Sequence, residues 1–424
     1  MRSLRGAALS MRVGLGPSSP TWVLLQQVVV RGLVAVKFLA LGRILGPSAI
    51  GSVSIALLAV AIAESLSDTG LPQAVVQGHE SPSRRELSAV WTTLATRGLL
   101  VALLLVALAP VMNSQFHLGH ALVLLQLAAV LPLIRGVASP AYFVVQRNRG
   151  FQQIATIEMM SAFADCFVGL AFAFGGGGAY SLLLGMIVGD TLKTTLTWAT
   201  MTPRPPVRLV WSGIGHYLGF SRWIWAGSVI NLMLNQFDKI IVGKLLGPAQ
   251  LGAYQMSSKL AQMLLTDAAF AMGQYLFPTF ADQHRRDARV AARMVKLYLF
   301  VVAGGLAIFV VLLRMTADSL FATVLGPAWM SAVPLFRIFV INMAIGALIA
   351  VLVAYLRAVG DAKATTHASL IQMVILIVIV PPLTHYYGVT GVAWSMTVGM
   401  GSAASWMLYR TLTRRDAPPV ALTP

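Results

Sequence analysis

The sequence of 424 residues has little charge and a single cysteine. Charged residues make up 11% of the chain, whereas a soluble domain carries about 25%. It also lacks any long polar stretch that could cover soluble domains. Cys166 is the one cysteine of the sequence and lies within an apolar segment, and a single cysteine cannot form an intrachain disulfide. These absences argue against a soluble or disulfide-stabilised protein.

Sequence signals of common enzyme sites are absent as well. We find no Cys/His cluster with metal-ligand spacing, no Gly-x-Ser-x-Gly and no paired carboxylates in a polar segment. Four consecutive glycines at 175–178 lack the Gly-Lys-Ser/Thr ending of a phosphate-binding loop, and they lie between two apolar segments. We therefore expect no enzyme, no metal site and no bound cofactor.

Apolar residues dominate the chain, at 57% of the total. Windows of about 20 apolar residues are the length that crosses a bilayer as a helix. They predict twelve transmembrane segments, which lie near 20–43, 52–77, 87–110, 119–144, 153–174, 179–201, 214–242, 251–278, 294–313, 330–356, 366–387 and 389–410.

The formal net charge of +17 could indicate a nucleic-acid partner, but its distribution argues otherwise. Lys and Arg concentrate at both chain ends and in alternate loops, whereas the opposite loops hold only Arg43, Lys244 and Arg314. By the positive-inside rule the basic side faces the cytoplasm. Both termini are then cytoplasmic, which requires an even number of spans and agrees with twelve.

An internal repeat divides the chain. The stretch G42-R-I-L-G-P-S-A-I-G51 returns as G243-K-L-L-G-P-A-Q-L-G252 at the equivalent place between two apolar segments. Each half has an even number of spans, so the halves have the same orientation, as in transporters with parallel repeats. We predict an all-α polytopic membrane protein with two six-helix lobes and a central cavity between them. The predicted divisions are a cytoplasmic leader at 1–19, lobes at 20–201 and 213–411, a proline-rich linker at 202–212 and a cytoplasmic tail at 412–424.

The repeated Leu-Gly-Pro element predicts a sharp turn. Gly46-Pro47 and Gly247-Pro248 fall between consecutive spans, and L325-G-P-A-W329 is a third copy. Proline cannot continue a helix, and glycine adopts the positive φ that ends one. We interpret these pairs as turns or hinges.

Ionisable residues within the predicted spans carry the functional information. A charge at the centre of a membrane helix costs about 2.5–3.5 kcal/mol, so such groups must face each other or a wet cavity. Counting from the cytoplasmic end of each span places five near the bilayer middle: Arg31, Asp68, Arg97, Arg135 and Asp190. Glu64 and Asp68 are spaced i, i+4, so they are expected on one helical face. The first half therefore predicts a polar layer that lines a cavity.

We assign roles within this layer by charge. The candidate substrate-binding cations are Arg31, Lys37, Arg97 and Arg135. The candidates for a coupling proton or Na⁺ are Glu64, Asp68, Asp190 and Asp267. The alternative is an internal salt-bridge network that only holds helices together. Arg135 could also bind carbonyls freed by a kink at Ser139-Pro140, and Lys193 could extend to the inner headgroups instead of joining the layer.

The mixture of charges favours an anionic cargo. Guanidinium pairs with phosphate through two hydrogen bonds, so a cavity with Arg and Lys suits a phosphate-bearing headgroup. A cavity for organic cations is expected to contain acids and aromatic residues in place of cations.

Several junctions resemble the polysaccharide and O-antigen flippases, which are Wzx-like members of the multidrug/oligosaccharidyl-lipid/polysaccharide exporter superfamily. The resembling stretches are L41-G-R-I-L-G-P-S-A-I-G51, D68-T-G-L-P-Q-A-V-V-Q77, Q146-R-N-R-G-F151, F237-D-K-I-I-V-G-K-L-L-G-P-A-Q-L-G-A-Y254 and Y387-G-V-T-G-V-A393. These motifs are turns and junctions, so they imply a scaffold. The ionisable residues Asp68, Arg147 and Asp238 match motif positions, but no role carries over to them.

The resemblance implies a function in the bacterial inner membrane. It implies movement of an undecaprenyl-diphosphate-linked oligosaccharide to the periplasmic leaflet by alternating access, with coupling to an ion gradient. A polysaccharide polymerase and glycosyltransferases would be partners, together with membrane lipids and without nucleic acid. The alternatives are a cation-coupled small-molecule exporter of the same superfamily and a non-transporting scaffold. The two extra helices of lipid II flippases are absent from the twelve predicted segments, which disfavours that activity.

Overall fold

The computed structural model describes residues 16–78, 82–116, 118–119, 121–211 and 215–413, and it describes the side chains of these residues except at 215–223 and 266–275. Most of the predicted leader and tail therefore lies outside the described residues. Every regular element in the described part of the chain is helical. The helices are α1 (Pro20–Leu66), α2 (Leu71–Gln77), α3 (Arg84–Gln115), α4 (Leu122–Ala128), α5 (Val130–Gly136), α6 (Ala141–Arg147), α7 (Phe151–Phe174), α8 (Tyr180–Thr200), α9 (Gly215–Leu246), α10 (Pro248–Arg286), α11 (Ala288–Leu320), α12 (Val333–Ala358) and α13 (Ala362–Thr413). A π-helical turn and a 3₁₀ turn, Phe321–Leu325 and Pro327–Ala332, connect α11 to α12.

These helices accommodate the twelve predicted segments. Two of them contain two spans each, since α1 breaks at Gly46 and α13 breaks at Gly388. Six described helices are long and apolar enough to cross a membrane, and the bent pair 122–136 and 141–147 would make a seventh. The predicted all-helical fold is confirmed.

The described chain forms two compact units. The first contains the described residues of Met1–Leu45 and Ala59–Val229, and the second contains Gly46–Leu58 with those of Ile230–Pro424. The segment after the first Leu-Gly-Pro turn thus packs within the second unit. The lobes at 20–201 and 213–411 follow the sequence repeat, and their boundaries stay a prediction.

Each unit has its own packing. In the first, α7 and α8 form a close hairpin, in which Ser161 Oγ donates to the Gly189 carbonyl oxygen at 2.9 Å. In the second, the buried Phe280 ring meets the rings of Tyr298 and Tyr355 edge-on, at centroid distances of 5.9 and 5.6 Å. Such edge-to-face pairs add to the stabilisation from apolar burial.

The three Leu-Gly-Pro turns share one backbone conformation. The φ/ψ angles are 74°/176° at Gly46, 83°/178° at Gly247 and 92°/176° at Gly326. This region of backbone space is essentially restricted to glycine. Each following proline then stands at the start of a helical turn, where its missing N–H costs nothing. The predicted positive-φ turns are confirmed at all three sites.

The two copies of the repeat contact each other inside the second unit. A Cβ atom on Gly51 would lie 1.7 Å from the Pro248 carbonyl oxygen, and a Cβ on Gly252 would lie 1.9 Å from the Pro47 carbonyl oxygen. The contact is reciprocal, as expected for equivalent positions of a repeat. Glycine allows this approach because it has no side chain between the two backbones.

We predict that Gly252→Ala lowers the thermal unfolding temperature. The new methyl group must displace backbone, and overpacking of this kind costs about 1–3 kcal/mol. Gly304→Ala in α11 is the matched control, since nothing lies within 4 Å of its Cβ position. Because alanine favours helix over glycine by about 1 kcal/mol, the control should keep or raise the unfolding temperature. Equal unfolding temperatures for Gly252→Ala and the unmodified protein would contradict the close contact.

Candidate functional site

Two arginines of the predicted layer meet where α3 crosses α5. Each precedes a glycine, in the pairs Arg97-Gly98 and Arg135-Gly136. A Cβ on Gly98 would lie 2.5 Å from the Pro132 carbonyl oxygen, and one on Gly136 would lie 2.7 Å from that of Leu94. The helices therefore touch backbone to backbone at the glycines. This contact brings the neighbouring arginines to one place.

Arg97 binds the end of α1. Its Nε donates to Ser67 Oγ at 3.0 Å, and its Nη2 donates to the Glu64 carbonyl oxygen at 2.6 Å. The last carbonyls of a helix lack intrahelical partners and attract cations. Both acceptors are uncharged groups. Arg97 thus has no carboxylate partner among the described residues.

Arg135 is held between two carboxylates. Its Nε donates to Asp190 Oδ2 at 2.7 Å, and its Nη1 donates to Glu64 Oε1 and Oε2 at 3.2 Å each. The three side chains are partly exposed, at 39% for Arg135, 30% for Glu64 and 23% for Asp190. This exposure means that the cluster lines open space rather than a closed core. It joins the C-terminal end of α1 to α5 and α8.

A cavity of about 140 Å³ opens beside these groups. Its polar lining includes Glu64, Arg97 and Arg135, and its apolar lining includes Val101 and Phe143. The structure therefore brings together four of the predicted site residues, the three in this lining and Asp190. Two guanidinium groups that point at one small space can bind an anion with several oxygens.

The kink before Pro140 leaves Arg135 available for these contacts. The chain bends by 60° between 122–136 and 141–147. The freed Val137 carbonyl oxygen accepts from the indole nitrogens of Trp91, at 3.2 Å, and Trp198, at 2.9 Å. The two indoles, rather than the guanidinium of Arg135, therefore satisfy this carbonyl.

The prediction that Glu64 and Asp68 share one helical face is wrong. The helix ends at Leu66, and the chain then turns at Gly70, which has φ 64° and precedes the start of α2 at Leu71. Asp68 lies in this turn. Its Oδ1 accepts from Gly70 N at 3.0 Å, and its Oδ2 accepts from Ser228 Oγ at 2.7 Å. A structural role in the turn accounts for these contacts, and a coupling role stays a prediction.

Lys37 lies away from the described cavities. It is buried and ion-paired with Asp165, and its Nζ also donates to the Leu182 carbonyl oxygen at 3.3 Å. Gly169 makes room for it, since a Cβ there would lie 2.9 Å from Lys37 Cε. The pair joins the first span to α7 and α8. These contacts agree with the internal salt-bridge alternative.

The remaining predicted residues have separate positions. Arg31 Nε donates to Gln27 Oε1 at 2.9 Å on an exposed face of α1, and Arg31 is not part of the described cavity linings. The side chain of Asp267 lies outside the described residues. In the second unit, the buried Asp238 accepts from Tyr254 through its Oδ2 at 2.6 Å.

Little in the sequence indicated a second group of paired residues, which lies beside the Arg135 cluster. Lys193 Nζ pairs with Glu158 Oε1 at 2.6 Å, and Tyr142 donates to the same oxygen at 2.8 Å. Lys193 thus points into the unit rather than to the headgroups.

The repeated Arg-Gly pairs were a usable signal for the arginine cavity, because small residues in membrane helices indicate close helix crossings. The Tyr142 contact had no comparable signal, since it depends on the bend in the chain.

Sequence comparisons with known proteins indicate a similarity to proteins of polysaccharide biosynthesis. A family model described as "Polysaccharide biosynthesis protein" matches residues 40–334. The chain is 26% identical to the succinoglycan biosynthesis transport protein ExoT of Rhizobium meliloti, over 83% of this chain and 71% of that protein. It is 22% identical to the lipopolysaccharide biosynthesis protein WzxC of Escherichia coli, over 76% of this chain and 65% of that protein.

Solved structures share the fold. The lipid II flippase MurJ in an inward closed conformation aligns with a TM-score of 0.70 at 13% identity, covering 93% of this chain and 87% of that one. An outward-facing multidrug transporter of the MATE family aligns with a TM-score of 0.56 at 16% identity, covering 92% and 95%. At such identities the likeness concerns the fold alone.

We predict that Lys37→Met destabilises the protein strongly, whereas Lys37→Met/Asp165→Asn recovers most of the stability. Removing one partner of a buried ion pair leaves an unpaired charge and costs about 3–5 kcal/mol. Thermal unfolding in detergent measures both variants. Asp282→Asn, which breaks the exposed pair with Arg286, is the control, and its effect should stay below about 1 kcal/mol. A double variant no more stable than Lys37→Met would contradict a purely structural pair.

Proposed function

Since the chain belongs to the polysaccharide biosynthesis protein family, we propose that it is a flippase for a lipid-linked oligosaccharide. The cargo is an undecaprenyl-diphosphate-linked oligosaccharide, which moves from the cytoplasmic to the periplasmic leaflet of the bacterial inner membrane. The product serves the synthesis of an O-antigen, a capsule or an exopolysaccharide. The names of the relatives support this proposal, since ExoT is called a transport protein of succinoglycan biosynthesis.

The single observation that carries the proposal is the shared cavity of Arg97 and Arg135. A diphosphate offers several oxygens to two guanidinium groups, and each charge-assisted bond is shorter and stronger than a neutral one. The cavity lies within a bundle of apolar helices, where charge interactions are less screened than in water. Arg97 provides the unbalanced positive charge. The lipid tail can remain in the bilayer while the diphosphate occupies the cavity.

Arg135 offers a route to ion coupling. A phosphate that binds its guanidinium competes with Glu64 and Asp190, which hold it without cargo. A carboxylate that loses its cation favours proton uptake or Na⁺ binding. The coupling ion would therefore bind at Glu64 or Asp190 when the diphosphate binds. Asp68 and Asp267 are further candidates from the sequence.

Orientation and partners complete the proposal. We infer from the basic loops, by the positive-inside rule, that both termini are cytoplasmic. Glycosyltransferases on that side would supply the cargo. A polysaccharide polymerase on the opposite side would consume it.

We predict that deletion of the gene causes lipid-linked repeat units to accumulate and surface polysaccharide to be lost. Glycan analysis scores both pools in the same strain. Normal levels of both, in a strain without a second flippase, would contradict the proposal and lead to dye-efflux assays for a small-molecule exporter. A leaflet-accessibility assay then separates translocation from later steps.

We further expect that Arg97→Gln fails to restore surface polysaccharide in that strain. Loss of a hydrogen bond to a charged group costs about 1.5–3 kcal/mol, or roughly 10- to 100-fold in affinity for the diphosphate. Arg286→Gln, which removes an exposed ion pair with Asp282, is the matched control and should restore the polymer. Full rescue by Arg97→Gln at equal membrane abundance would rule out this residue as a cargo contact.

A further inference from the structure

A second cavity lies next to the arginine cavity and has a different lining. It measures about 200 Å³. Both cavities are lined by Leu94, Arg135 and Phe143, so they are neighbours that share a wall. The guanidinium of Arg135 therefore borders both cavities.

The second cavity combines aromatic rings with polar groups. The rings of Tyr142 and Phe143 stand at 84° to each other with centroids 5.9 Å apart. The Thr194 hydroxyl also lines the cavity, and its oxygen can accept a hydrogen bond because its proton is donated to the Ile134 carbonyl oxygen at 3.2 Å. The ring faces, in contrast, are apolar. The lining thus suits a ligand with alternating hydroxyl groups and C–H faces.

The charged side chains of this cavity are balanced in pairs. Lys193 pairs with Glu158 at 2.6 Å, and Arg135 pairs with Asp190 at 2.7 Å. The Lys193 ammonium also lies 5.3 Å from the centre of the Tyr142 ring, a cation–π contact. Tyr142 is itself fixed by its hydrogen bond to Glu158. These contacts hold donors and acceptors in place without an excess of either charge.

We propose that this cavity binds the sugar ring that is linked directly to the diphosphate of the cargo. A neutral sugar has hydroxyl groups for the Lys193–Glu158 pair and for Thr194, and C–H groups for the two aromatic rings. Drug-sized ligands occupy cavities of about 300–1,000 Å³, so the smaller volume here fits one ring rather than an oligosaccharide. The inference rests on the proposed function, because the diphosphate in the first cavity positions the sugar. Lys193 and Tyr142 then determine which cargo is preferred.

The test measures binding to the full-length protein in lipid nanodiscs with two probes. One is a polyprenyl diphosphate without sugar, and the other carries a single neutral hexose. We expect the unmodified protein to bind the hexose probe about tenfold more tightly. The charge-balanced variant Lys193→Met/Glu158→Gln should reduce this ratio to about one and leave the affinity for the bare diphosphate unchanged. Tyr142→Leu, which removes the ring, should also reduce this ratio. It replaces the double variant in the test if the double variant does not fold.

Control variants separate this inference from the proposed function. Arg97→Gln should weaken both probes equally, and Arg410→Gln/Asp361→Asn should weaken neither. Equal affinity of the unmodified protein for the two probes would overturn the sugar site and leave the flippase proposal intact. The sugar site would also be overturned if the Lys193→Met/Glu158→Gln and Tyr142→Leu variants kept the tenfold preference for the hexose probe. It would be overturned as well if these variants lost affinity equally for both probes. Failure of the unmodified protein to bind either probe would overturn the proposed function and this inference with it.

Discussion

The ion pairs of Arg135 with Glu64 and Asp190 are the interaction on which the polar part of the first unit depends. A lone charge at that depth in a membrane is costly, so each of these groups requires the others. Together they join the end of α1 to α5 and α8. The same three side chains remain partly exposed to a cavity. The network is thus both a support for the helices and a surface on which an anion can replace a carboxylate.

Glycines determine where such groups can meet. At Gly98 and Gly136 the backbones of α3 and α5 touch, which brings the preceding arginines into one cavity. In the second unit, Gly51 and Gly252 bring the two copies of the repeat into reciprocal contact. Small residues allow close approach because van der Waals packing, rather than hydrophobic burial, drives association of membrane helices. In the first unit, small residues therefore allow the close helix crossing at which charged side chains meet.

The polysaccharide flippase family explains why polar and apolar features occur together in this chain, and the resemblance seen in its turn motifs is confirmed by the family match and the relatives. A lipid-linked oligosaccharide has an anionic diphosphate between an apolar tail and a polar glycan. The first unit offers exposed apolar side chains, an arginine cavity and a neighbouring cavity lined by aromatic rings and polar groups. These surfaces correspond in chemistry to the tail, the diphosphate and the glycan of such a cargo.

The sequence by itself determined the helical membrane fold, the repeat and the positive-φ turns, because apolar length and Gly-Pro chemistry are local properties. It also identified Arg97 and Arg135 as charges within predicted membrane spans, where a charge is costly unless it faces a partner or a wet cavity. Only the tertiary structure decided their partners, since hydrogen bonds between helices depend on crossing points that no spacing along the chain reveals. For the same reason Lys37 proved to be buried against Asp165, although the sequence placed it among the cavity cations.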